Sequence, residues 1–112
     1  MNTIKFSHDW NKKLSGGNEL FTTIRKYRKE KVDYYLNHIE QEFSVYLNEQ
    51  EICKAELVTL ETFKFWEISS IFLFLDTGYT DNEKVDKLFK NFGIEAEDTV
   101  IVLLFKKVKV KK

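Results

Sequence analysis

The chain has 112 residues, 43% of them hydrophobic and 15% aromatic, enough for a packed core and too apolar for a disordered chain. Its 18 Lys and Arg balance 18 Asp and Glu, so net charge selects neither a nucleic acid nor a membrane surface as partner, and its one cysteine excludes an intramolecular disulfide framework or a zinc site of several thiolates. No apolar run reaches the ~18 residues of a membrane-spanning helix, and the opening MNTIKFSHDW lacks the basic-then-apolar layout of a signal peptide, so one cytoplasmic domain over residues 1–112 is expected.

Thr3–Ser7 alternates Ile4 and Phe6 with Thr3 and Lys5, which predicts a short half-buried strand. Ser7 or Asp9 then caps a short helix running to Leu14 and ended by Gly16-Gly17. Leu20–Ile24 (LFTTI) is β-branched and aromatic and predicts a second strand. From Arg25 to Gln41 the pattern is helical, with Val32, Tyr35, Leu36 and Ile39 on one stripe. Glu42–Leu47 alternates again, placing Phe43, Val45 and Leu47 on one face. Asn48-Glu49-Gln50 reads as a hairpin turn, and Glu51–Leu60 as the return strand, with Cys53, Ala55 and Leu57 opposite Lys54 and Glu56.

Glu67–Leu75 (EISSIFLFL) fits a buried strand and a buried helix equally well by period, and Asp76-Thr77-Gly78-Tyr79 breaks it. Thr80 as N-cap with Glu83 three residues on forms a capping box. The helix it opens carries Val85, Leu88, Phe89 and Phe92 and stops at Gly93. Thr99–Phe105 (TVIVLLF) is apolar throughout, as a central strand would be, and runs into a basic tail over 106–112. This order implies an α+β domain or a small barrel decorated with helices, without regular βαβ units.

Charge is segregated along the chain. Residues 25–31 hold five bases and one acid, residues 106–112 hold five lysines, and residues 76–98 hold seven acids against three lysines. The two basic segments suit a phosphate-binding face; they suit equally a solvated helix face and a lysine-protected terminus. His8 and His38 lack metal-ligand spacing, Cys53 has no base beside it, and no nucleophile elbow or phosphate loop occurs, so neither metal nor cofactor is expected. Thr23 and Arg25 share one strand face, and Asp76–Tyr79 precedes a helix start. These groups could converge on a nucleotide phosphate. Alternatively, Arg25 pairs with Asp76 as a structural bridge and Thr23 is only a strand former.

The segment FSxxWxxKLSGGxxxFTTIR, Phe6 to Arg25, resembles the opening of ASCH domains, which belong to the PUA-like superfamily. CKAELV (Cys53–Val58), DTGYT (Asp76–Thr80) and DTVIVLLF (Asp98–Phe105) resemble later motifs of that family in the same order, so the likeness spans about residues 3–107. The resemblance implies an α+β, partly open β-barrel of five to six strands with peripheral helices, and a helix at Ile68–Leu75. It also implies RNA binding in a cleft beside the TTIR strand, with Arg25 facing phosphate or base, Thr23 lining the cleft, and Asp76 and Tyr79 bordering it. One branch of the family hydrolyses N4-acylated cytidine with a Lys, a Thr and a downstream Glu. Here Thr23 falls on the Thr, but Leu20 occupies the Lys position, so Lys12, Lys13 or Lys26 would have to supply the amine and Asp76 the acid.

The functional expectation is an RNA- or nucleotide-binding module. Arg25, Lys26, Arg28 and Lys29 would contact phosphate, and Tyr27 or Trp66 would stack a base. The alternatives are an amidohydrolase of acylated pyrimidine nucleosides and a protein-interaction module with an exposed apolar patch.

Overall fold

The computed structural model describes residues 2–108, so the last part of the basic tail, 109–112, lies outside the described residues. The elements in chain order are β1 (Thr3–Phe6), β2 (Leu20–Lys26), α1 (Lys29–Leu36), β3 (Glu42–Leu47), β4 (Gln50–Lys64), α2 (Ser70–Thr77), α3 (Asn82–Asn91) and β5 (Thr99–Lys107). Short 3-10 turns lie at Trp10–Lys12 and Phe65–Glu67. The strands form one sheet in the order β1-β3-β4-β5-β2. β1 runs parallel to β3, and the remaining pairs are antiparallel. The sheet curls into a half-barrel with α2 and α3 on its outer face and α1 packed against its inner core, the α+β architecture expected.

β5 is apolar throughout because both of its faces are covered. Ile101, Leu103 and Phe105 point into the barrel, where they meet Ile4, Phe21, Phe43, Val45 and Leu57. Val100 and Val102 point outward and pack with Ile24, Leu73, Val85 and Phe89 beneath α2 and α3. β4 serves both cores through a bulge. Leu57 pairs with Phe105 and Thr59 with Leu104, so Val58 is the extra residue. Before it the odd-numbered Ala55 and Leu57 face the barrel; after it the even-numbered Leu60 does, and Phe63 joins the outer core.

Several sequence expectations shift. The helix expected over 25–41 is confined to α1, because Arg25 and Lys26 continue the β2 ladder against Ile101 and Val100. Its apolar stripe faces the core as expected through Val32, Tyr35 and Ile39, but Leu36 is exposed. The helix expected to run to Leu14 is only the Trp10–Lys12 turn. Asp9 does not cap its start; the carboxylate accepts from Leu14 N–H at 2.8 Å and Ser15 N–H at 3.2 Å, tying down its end. Glu67–Leu75 resolves as a helix that begins later, at Ser70, with the Ser69 hydroxyl accepting from Phe72 N–H at 3.3 Å. The cap of α3 is Asp81, whose carboxylate accepts from Glu83 N–H at 2.9 Å, so the capping box on Thr80 does not form. Gly93 ends α3 as expected. At φ 76° it allows Gly93 N–H to reach Lys90 O and Ile94 N–H to reach Phe89 O, both at 2.9 Å.

Candidate functional site

β1 and β2 are the two outer strands of the sheet, and the curl brings them face to face across the open side of the half-barrel. Arg25 spans that seam. Its Nη2 donates to Lys5 O at 2.9 Å, its Nε donates to the Thr23 hydroxyl at 3.1 Å, and its guanidinium lies 4.7 Å from the centre of the Phe6 ring. A cavity of about 270 Å³ opens here. Lys5, Lys13, Thr23, Arg25, Lys26 and Asp76 supply its polar wall; Phe6, Trp10, Leu88, Phe89, Phe92 and Ile94 supply the apolar one.

Lys13 reaches the cavity because the preceding turn is wound left-handed, with φ 54° at Asn11 and 52° at Lys12. Asp76 comes from the last turn of α2. The Lys13 Nζ lies 3.1 Å from Asp76 Oδ1, with the side chains only 8% and 5% exposed. The Thr22 hydroxyl donates to the same oxygen at 2.7 Å. Burial holds the Lys13 amine below the ordinary lysine value, and the Asp76 charge offsets part of that effect. Burial likewise lowers Arg25, with Tyr35 and Asp76 opposing it; a guanidinium stays protonated all the same.

Four cationic side chains and one carboxylate line the cavity. Asp76 is taken by Lys13, so the structural bridge from Arg25 to Asp76 is not formed. Among the described residues Arg25 has no carboxylate partner within ion-pair distance. A half-buried guanidinium with no carboxylate in direct contact, anchored by a hydroxyl and a carbonyl, is a ready receptor for an anion.

Of the residues singled out in the sequence, Thr23, Arg25, Lys26 and Asp76 meet in the cavity. Lys26 sits at its rim, donating to Gly93 O at 2.9 Å. Arg28 and Lys29 are exposed at the start of α1 and do not line the cavity. Tyr79 lies just outside the lining, its ring 5.9 Å from that of Trp10. Trp66 is 61% exposed and borders a separate groove with Phe65 and Ile68. Leu20 is exposed and outside the cavity; of the three candidate lysines that could replace it, Lys13 is buried there, Lys26 stands at the rim and Lys12 is exposed. The Thr23 hydroxyl is engaged by Arg25, whereas Lys13 is bonded to Asp76.

Among the described residues the two basic segments set out from opposite ends of β2. Lys106 pairs with Leu20 at one end of β2, and Lys26 pairs with Val100 at the other, about 20 Å away along the strand. Phe6, Trp10 and Phe92 also line the cavity, beyond the residues expected there. The inward alternation of Ile4 and Phe6 and the place of Phe6 and Trp10 in the FSxxW motif are the available signals; Phe92 reads only as helix core. Among the described residues no three metal-ligating side chains cluster, and no helix is long and apolar enough to cross a membrane.

No protein-family model matches the chain, and no curated protein does. Among solved structures, an ASCH domain from Lactobacillus crispatus JV V101 is similar, with a TM-score of 0.59 and 13% identity, covering 95% of this chain and 78% of that one. The order of strands, the curled sheet and this likeness together show that the chain has the ASCH-like, PUA-like fold.

Proposed function

We propose that the chain is an ASCH-type module that binds one nucleotide unit, free or within RNA, in the seam cavity, with phosphate on Arg25 and the base against Phe6 and Trp10. The observation that carries this reading is the excess of cations over carboxylate in the cavity, centred on a guanidinium without an acidic partner. The volume of about 270 Å³ falls just below the range of drug-sized pockets, which suits a single base or nucleoside. The Lys13–Asp76 pair places a donor and an acceptor beside it for the base edge. Because Lys106 and Lys26 lie at opposite ends of β2, the cavity and not an extended basic face supports the reading.

The test is a fluorescence-anisotropy titration with short single-stranded RNA, with mononucleotides as competitors, at two salt concentrations. Wild type should bind more weakly at higher salt, and Arg25→Gln should lose about tenfold in affinity through one charge-assisted contact. An unchanged Kd in an Arg25→Gln protein with a normal urea midpoint overturns the assignment.

One observation favours a second reading, hydrolysis of an N4-acylated cytidine-like nucleoside. The cavity holds a buried amine lowered by burial, paired at 3.1 Å with a carboxylate and sharing the space with Thr23. Incubation with N4-acetylcytidine, followed by chromatography for cytidine, tests it. No cytidine above the level formed by Lys13→Met rejects hydrolysis and leaves the binding reading in place.

A further inference from the structure

We infer that His8, Trp10 and Tyr79 form a stacking platform for the base next to the one in the cavity, so that the preferred ligand is a single-stranded oligonucleotide. This rests on the nucleotide reading above and adds the class of ligand to it.

The three rings form a continuous cluster at the cavity mouth. The His8 ring stacks on Trp10 at 4.8 Å and 26°, and Tyr79 meets Trp10 at 5.9 Å and 60°. Trp10 lines the cavity; His8 and Tyr79 do not, and both are exposed. A mononucleotide seated in the cavity therefore reaches Trp10 and leaves the outer two rings unused. A chain continuing out of the mouth meets them next, and every base has a face that stacks on an aromatic ring.

The cluster is held by two turns that are costly or restrictive to build. Asn11 and Lys12 adopt left-handed backbone without being glycine. Opposite them Gly78, at φ 81°, ends α2 so close to Asn11 that an added Cβ would stand 3.2 Å from the Asn11 Cβ. The Asn11 amide donates to Leu75 O at 2.8 Å, and the Thr77 hydroxyl accepts from Tyr79 N–H at 3.2 Å. These contacts fix Trp10 and Tyr79 relative to each other before any ligand arrives. Left-handed backbone at Asn11 and Lys12 thus positions one half-buried and two exposed rings beside a cationic cavity, the setting in which such strain accompanies ligand contacts.

The chain has two tryptophans, so Trp66→Phe leaves Trp10 as the fluorescent reporter. In that background, 5′-CMP and the dinucleotide CpC carrying a 5′-phosphate are titrated against the parent, Tyr79→Leu and Tyr79→Phe. The dinucleotide should bind about tenfold more tightly than CMP. Tyr79→Leu, which keeps apolar bulk against Trp10, should reduce the dinucleotide to the affinity of CMP and leave CMP unchanged, and Tyr79→Phe should restore the difference. Equal affinity of the two ligands for the parent overturns the platform while the nucleotide reading stands. Binding of neither overturns both.

Discussion

Replacing Asp76 by alanine strands a cation inside the protein. Lys13 and Asp76 are 8% and 5% exposed, so the ammonium cannot recover in solvent what it loses from its partner. Removing one member of such a buried pair costs about 3–5 kcal/mol, a large share of the stability of a small domain. The Thr22 hydroxyl also loses its acceptor, but it is only partly buried and can turn to water, so it adds about 1 kcal/mol at most. The contrast is Lys54–Glu42, 3.8 Å apart and 46% and 50% exposed, where Glu42→Ala should cost less than about 1 kcal/mol. Urea denaturation followed by circular dichroism at neutral pH measures both. The double variant Lys13→Met/Asp76→Leu removes both charges and should recover most of the loss. An Asp76→Ala loss below about 1 kcal/mol, or a double variant no more stable than the single, would refute the claim that the pair is a buried electrostatic unit.

The same pair predicts a pH dependence. In wild type the folded state holds Lys13 below its ordinary value, so between the folded and unfolded values the unfolded chain binds more protons and stability rises with pH. Asp76→Asn removes the opposing charge, lowers Lys13 further and steepens that rise toward the alkaline side; urea midpoints of the two proteins that run parallel from about pH 7 to 10 would count against it. At the β3–β4 hairpin, Asn48 and Glu49 sit at φ 51° and 68°, a two-residue turn that favours Asn-Gly. Glu49→Gly should raise stability by about 0.5–1 kcal/mol, and an unchanged or lower urea midpoint would show that the turn carries no strain.

The parts of the fold set by short-range pattern were legible in the sequence. The alternation of Phe43, Val45 and Leu47 placed β3 at its observed bounds, and the apolar run TVIVLLF identified the strand covered on both faces. What depended on distant partners was not legible. Arg25 and Lys26 follow a helix-like composition but belong to β2 because β5 offers them a ladder. The bulge at Val58 resets the alternation of β4, so residues beyond it could not be read in phase with those before it. At the site, the period of two put Thr23 and Arg25 on one face, and both line the cavity. Lys13 was only one of three candidate amines, because its inward position requires the left-handed turn at Asn11-Lys12 and an aspartate 63 residues further along the chain.

The seam between β1 and β2 has a consequence for the behaviour of the chain in crowded solution. Unpaired strand borders are the places where foreign strands add and fibres begin. Here both borders turn toward each other, the β1 border is only four residues long, and Arg25 covers the Lys5 carbonyl while Lys5 and Lys26 add charge on either side. The seam that carries the cavity is thus also where the sheet hides its borders from other chains, and Arg25, to which the proposed function assigns the anion, guards against polymerisation.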